Sequence, residues 1–138
     1  MERKEELDAI NDANAWMTTA VLSGKEGNYN ISLYSLEMSV EIGLKAVLIH
    51  LGIAYPKVHN ILPILLHTID NNKEKLPKEF VDKKEFIMDN FRELLKMRGP
   101  AGYTFGENLK IVDMKQSFDF FLANSKEVIK LCNSAVKF

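Results

Sequence analysis

Residues 27–59 read GNYNISLYSLEMSVEIGLKAVLIHLGIAYPKVH, and the fold turns on them. Set on a helix at about 100° per residue over residues 31–51, they resolve into four stripes. Ile31, Tyr34, Met38, Ile42 and Ile49 share one apolar face, and Leu33, Leu36, Val40, Leu44, Val47 and Leu51 lie nearly opposite. A helix apolar on two sides is covered on two sides, so this one is expected at the centre of a bundle. Between the apolar faces run a small-residue stripe (Ser32, Ser35, Ser39, Gly43, Ala46, then His50) and a charged stripe, Glu37, Glu41 and Lys45. The small residues admit close approach of a backbone, either the first helix of the same chain or the same helix of a second copy.

Outward from this segment the pattern stays helical, and no alternating β-branched run bounded by a two-residue turn suggests a strand. A first helix over residues 2–22 is expected to stop at Gly24. Gly52 suits the left-handed end of the central helix, and Pro56 prevents its continuation. A short third helix spans residues 60–71, with Pro63 tolerated in its first turn. A fourth begins near Pro77 and is stopped by Gly99-Pro100. A fifth starts after Asp113, where Asp113 and Gln116 match a capping box, and runs almost to the C-terminus. The expectation is an all-α, up-and-down bundle of four long helices plus one short one, forming a single domain over residues 1–138. Residues 99–113, with three glycines, Tyr103 and Phe105, are the one long connection, either a crossover or a functional loop.

Composition narrows the function classes. The formal net charge is -1 with 27% charged residues, so no global basic field drives nucleic-acid binding and any such contact must be local. Cys132 is the only cysteine, which excludes an intrachain disulfide and fits a reducing, cytoplasmic setting. The charged N-terminal residues do not form a secretory signal, and no apolar run is long enough for a membrane span.

The residues around the central helix also resemble a known family. Gly27-Asn28-Tyr29 before the helix, Glu41, Leu44, Lys45 and Ala46 within it, Gly52, Pro56 and His59 after it, and Arg98 with Tyr103 farther on are similar to the pattern of HEPN domains. The resemblance spans most of the chain in helix order. It implies a helical bundle that forms homodimers. In prokaryotic and archaeal members it also implies a separately encoded minimal nucleotidyltransferase as partner, in pairs that behave as toxin and antitoxin. Active toxin members are metal-independent ribonucleases that use an arginine followed, four to six residues on, by a histidine. This chain departs from that pattern: Tyr103 stands where the histidine would follow Arg98, and neither Arg3 nor Arg92 has a histidine at that spacing. A tyrosine, with an ordinary pKa of about 10, is a poor proton carrier for RNA transesterification near neutral pH.

The candidate site residues are therefore Glu41, Lys45, His59, Arg98 and Tyr103, read as ligand-binding. Arg98 and Tyr103 would be catalytic only under the ribonuclease alternative. Glu41 and Lys45 form either an ordinary surface pair four apart or part of a buried polar groove. Arg98 answers either to the dipole at a helix end or to a phosphate. Tyr103 and Phe105 either stack on bases or fold back on the bundle. His50, His59 and His67 are spaced by nine and eight, without the four-residue spacing of a metal-binding face, so no metal is expected, and no cofactor motif is present. The leading functional expectation is a non-catalytic binding module for a nucleotide, RNA or a nucleotidyltransferase. A ribonuclease using Arg98 and a ligand-free dimerisation scaffold are the alternatives.

Overall fold

The computed structural model describes residues 2–102 and 111–138, with side chains described for 4–98 and 114–138. Among them are six α-helices and no strand: α1 (Glu2–Lys25), α2 (Tyr29–His50), α3 (Leu62–Asn71), α4 (Lys78–Asp82), α5 (Lys84–Gly102) and α6 (Ile111–Val136). The protein is an all-α bundle in which α1, α2, α5 and α6 are the long members. α2 is central, packing against α1, α5 and α6. α1 and α2 run antiparallel, because Ala13 meets Ser39 while Glu6 meets His50.

Two glycines set the ends of the helices flanking the first turns. Gly27 (φ 81) and Gly52 (φ 73) are left-handed, and each closes a helix with the same pair of backbone bonds. Asn28 N–H reaches Ser23 O at 2.9 Å and Gly27 N–H reaches Gly24 O at 3.1 Å; after α2, Ile53 N–H reaches Leu48 O at 3.0 Å and Gly52 N–H reaches Ile49 O at 2.9 Å. Both satisfy carbonyls that a helix end leaves unpaired. The expected stop at Gly24 is thus corrected to Gly27. Gly24 is helical and is small for another reason: a Cβ there would lie 2.4 Å from Cε2 of Phe118.

Four further boundaries differ from the sequence expectation. The fourth helix, expected from Pro77, is split by a break at Lys83 into the short α4 and α5, and a 3₁₀ turn at Lys73–Lys75 precedes it. Gly99-Pro100 does not stop α5, which continues to Gly102. A proline removes one backbone bond and crowds the carbonyl four residues back, but here it falls near the end of the helix, where few bonds remain to be lost. Asp113, expected as a cap, is the third residue of α6. Of the expected loop over residues 99–113, residues 103–110, including Tyr103 and Phe105, lie outside the described residues. α3 starts two residues later than expected, with Asn60 Oδ1 accepting the Leu62 N–H at 3.1 Å.

The core gathers Leu33, Leu36, Val40, Leu44 and Val47 of α2 with Ile10, Ala13, Phe80, Phe91, Leu94, Val128 and Leu131. The small-residue stripe is filled from within the chain. Ser39 Oγ donates to the Ala13 carbonyl of α1 at 2.7 Å, and Gly43 faces Ile129 and Cys132 of α6. The other two stripes exchange their expected places. Ile31 is 48% exposed, and Tyr34, Met38, Ile42 and Ile49 are only half-buried, so the second apolar face is incompletely covered. The charged stripe is the one enclosed, with Glu37 0% and Glu41 1% exposed.

Candidate functional site

Burying Glu37 and Glu41 demands partners, since an unpaired charge in a core is expensive. α2 presents both on one flank because they stand four residues apart, with Lys45 a further turn along and Tyr34 a turn before. α5 crosses this flank and brings Arg98. The segment between α2 and α3, turned by Gly52 and Pro56, brings His59.

Arg98 ties the two helices together. Its Nη1 donates to Glu37 Oε2 at 2.6 Å and approaches Met38 Sδ at 3.2 Å, while Nη2 donates to Tyr34 Oη at 2.9 Å. The guanidinium also lies over the Tyr34 ring, 4.7 Å from its centroid. Nη2 further donates to His59 Nε2 at 3.1 Å. A guanidinium only donates, so Nε2 of His59 must carry its lone pair and the ring proton sits on Nδ1. That proton is directed at the Glu41 carboxylate, whose two oxygens are each 3.1 Å from Nδ1. Lys45 Nζ donates to Glu41 Oε2 at 2.9 Å and lies 5.6 Å from the ring centroid of Tyr55. The result is a continuous polar chain of Tyr34, Glu37, Arg98, His59, Glu41 and Lys45.

The carboxyls at its centre titrate in opposite directions. Burial, a hydrogen bond with Glu41 and the Glu41 charge push Glu37 up to about 8, against the pull of Arg98. Burial works on Glu41 in the same sense, but hydrogen bonds with Glu37, Lys45 and His59 outweigh it and hold its pKa below the usual value. One Glu37 oxygen, Oε1, is buried with no hydrogen-bond partner while both carboxyls are ionised. Burial thus favours the neutral form of Glu37, and the donors around Glu41 favour its charged form.

The cluster reaches the surface on one side. His59 is 55% exposed at its side chain and Arg98 20%. Tyr55, beside Lys45, also lines an open cleft of about 320 Å³ together with Glu5, Gly52 and Lys57. Four of the five candidate site residues, Glu41, Lys45, His59 and Arg98, are thus brought together; the fifth, Tyr103, lies outside the described residues. The surface-pair reading of Glu41 and Lys45 gives way to the buried one, for the pair exists but is largely enclosed. Arg98 serves the cluster and not the end of a helix, and His59 packs on α2 as part of it. The sequence reading missed Tyr34, which its position among apolar residues disguised, and the part of Glu37; both stand at helical spacing before Glu41. His50 is engaged elsewhere, paired with Glu6, and among the described residues no group of three or more His, Cys, Asp or Glu is placed to hold a metal ion.

Comparison with curated proteins and with solved structures gave no match. The family model of the HEPN domain matches residues 7–135 of the 138, from α1 through the Glu41–His59–Arg98 cluster to the last turn of α6, so the chain belongs to the HEPN domain family.

Proposed function

We propose that this HEPN domain is a homodimeric binding module of the cytoplasm that holds an anionic group of a nucleotide or RNA at the Arg98–His59–Lys45 rim. In this reading it works with a minimal nucleotidyltransferase, as in the toxin–antitoxin pairs of the family, and cleaves nothing itself. The observation that carries the reading is the convergence of three nitrogen-bearing side chains on one surface edge, braced from below by two buried carboxyls. Arg98 and Lys45 outnumber the ionised Glu41, so an arriving phosphate meets a net positive rim. Its entry is through His59, which is exposed, belongs to no helix and occupies one donor of Arg98 Nη2. An anion that takes this donor displaces only the His59 ring.

Homodimerisation is supported by the half-covered apolar face of α2 and by Leu22, 54% exposed on the other side of the turn from Ile31. The cytoplasmic setting is supported by the lone, buried Cys132. Among the described residues, no helix is long and apolar enough to cross a membrane.

A ribonuclease reading is favoured by one specific observation. His59 Nε2 lies beside Arg98 although no histidine follows that arginine in sequence, and an arginine and a histidine in contact are the residue types that the active members use. Against it, the arginine–histidine spacing of the active members is absent from the sequence, with Tyr103 standing where the histidine would follow Arg98. The test is a filter-binding and cleavage assay with single-stranded RNA and no added metal. Binding without cleavage, weakened at least tenfold by Arg98→Ala, is the expected result. Cleavage abolished by both Arg98→Ala and His59→Ala would transfer the function to the second reading. Light scattering of the purified chain checks the dimer.

A further inference from the structure

Glu37 braces Arg98 from below, and the binding reading gives its second carboxyl oxygen no task. It is fully enclosed, Oε2 is held by Arg98 at 2.6 Å, and Oε1 has no hydrogen-bond donor near it. Its titratable and charged neighbours are Tyr34 and Glu41 from α2, with Lys45 beyond Glu41, Arg98 from α5, and His59 from the segment before α3. None of the donors in this set lies within hydrogen-bond reach of Oε1. Glu41, one helical turn along α2, presents a second buried carboxyl hydrogen-bonded to that of Glu37, and two carboxyls in contact are held together by a proton between them. Glu41 has two cationic or N–H donors of its own, Lys45 and His59, whereas Glu37 has Arg98 alone and the deeper burial. The proton therefore belongs to Glu37.

We infer that Glu37 carries a proton on Oε1, donated to Glu41, and that this proton sets the affinity of the Arg98–His59 rim for an anion. The inference rests on the anion-binding reading given above. With the proton in place, Arg98 and Lys45 face one carboxylate, and the cluster keeps one cation in excess. Once the proton leaves, Glu37 becomes a second carboxylate 2.6 Å from Arg98, the charges balance, and Arg98 is held inward as one half of a buried ion pair. Anion binding and proton retention then favour each other. Linkage limits the effect to a tenfold loss of affinity per pH unit for one proton released.

Two measurements test this. The first follows the Glu37 side-chain carboxyl by carbon NMR in the free protein from acid to alkaline pH. The second measures binding of a short oligoadenylate, whose phosphodiesters do not titrate near neutrality, at about pH 6 and about pH 9 by wild type and Glu37→Gln. The expected results are a Glu37 carboxyl that ionises only above neutrality, a wild-type affinity about tenfold weaker at the higher pH, and a Gln variant that has lost this pH dependence. A Glu37 carboxyl already ionised at pH 6 overturns the inference while leaving the anion reading intact. A late-ionising Glu37 with equal affinity at both pH values overturns the link between proton and anion. No binding at any pH overturns the anion reading and the link with it, while the carboxyl titration still reports on the proton. Should the Gln variant fail to fold, the wild-type titration and wild-type pH profile decide the matter alone.

Discussion

Replacing Glu37 by glutamine removes a buried carboxyl beside an arginine, yet it is expected to cost less than about 1 kcal/mol at pH 6 and to become the more stable form as the pH rises. Gln is the shape of a protonated Glu: its amide oxygen can accept from Arg98 Nη1 as Oε2 does, and its amide nitrogen can donate to Glu41 where Oε1–H does. The folded-state pKa of about 8 lies above the ordinary 4.5, so between these values the folded chain holds a proton that the unfolded chain has released. The stability contributed by that proton is complete below the unfolded value and is lost as the pH climbs through the folded one. Within the window each pH unit is worth about 1.4 kcal/mol. From pH 6 to pH 8 the variant should therefore gain about 2 kcal/mol on wild type, allowing for partial titration near the midpoint. Glu41, whose pKa is lowered, acts in the opposite sense, contributing stability above its unfolded value that is lost on acidification. Urea unfolding of both proteins, followed by far-ultraviolet circular dichroism at several pH values, measures the difference directly. A loss of about 3–5 kcal/mol at pH 6 that does not change up to pH 9 would refute the reasoning, because that is the signature of a broken buried ion pair.

Arg98→Ala should cost about 2 kcal/mol near pH 6, the loss of charge-assisted hydrogen bonds, instead of the larger penalty of stranding a buried carboxylate, because Glu37 is left as a neutral acid. The same urea series on that variant reads it. Gly24→Ala is expected to lose about 1–2 kcal/mol despite alanine's better helix propensity, because the new Cβ meets the buried Phe118 ring at 2.4 Å. Gly43→Ala meets first the terminal methyl of Ile129 at 2.9 Å, a group that can turn aside, and should stay within about 1 kcal/mol of wild type. Equal effects of the two glycine substitutions in thermal unfolding would contradict this ranking. Ser39→Ala removes a buried hydrogen bond from α2 to the Ala13 carbonyl and should lower stability by about 1 kcal/mol, measured in the same way.

The helices were legible in the sequence because periodicity and the glycines at 27 and 52 are local signals. Their limits were less so. Gly24 is helical because its missing Cβ makes room for Phe118, a neighbour 94 residues away that no local rule contains. Pro100 fails to end α5 because its cost falls where little of the helix remains. The stripes of α2 were read correctly as stripes, but which of them faces inward depends on what the other helices offer. An apolar stripe with Ile31 at its head is left half-covered, while Glu37 and Glu41 are enclosed because α5 and the segment after α2 supply Arg98 and His59.

The same dependence explains why no histidine follows Arg98 along the chain while one meets it in space. The family's spacing rule looks for a histidine shortly after an arginine on one helix, and Tyr103 occupies that place. Here the histidine nearest Arg98 lies 39 residues before it, held by Glu41, which is in turn held by Lys45. Each link satisfies a hydrogen-bonding demand created by the one before. Burying Glu37 calls for Arg98, Arg98 has a donor left over for His59, and the proton of His59 requires an acceptor that Glu41 supplies. The chain of demands closes at the rim, where His59 is exposed and free of any helix. It follows that His59 is the member whose removal should disturb the fold least and the rim most. His59→Ala frees one donor of Arg98 at the rim and leaves Glu41 still held by Lys45, and should change stability by less than about 1 kcal/mol. In the oligoadenylate assay it should tighten binding if His59 only guards Arg98, by sparing the anion the cost of displacing the ring. Weaker binding would mean instead that the imidazole itself contacts the ligand, and displacement by the anion would be refuted.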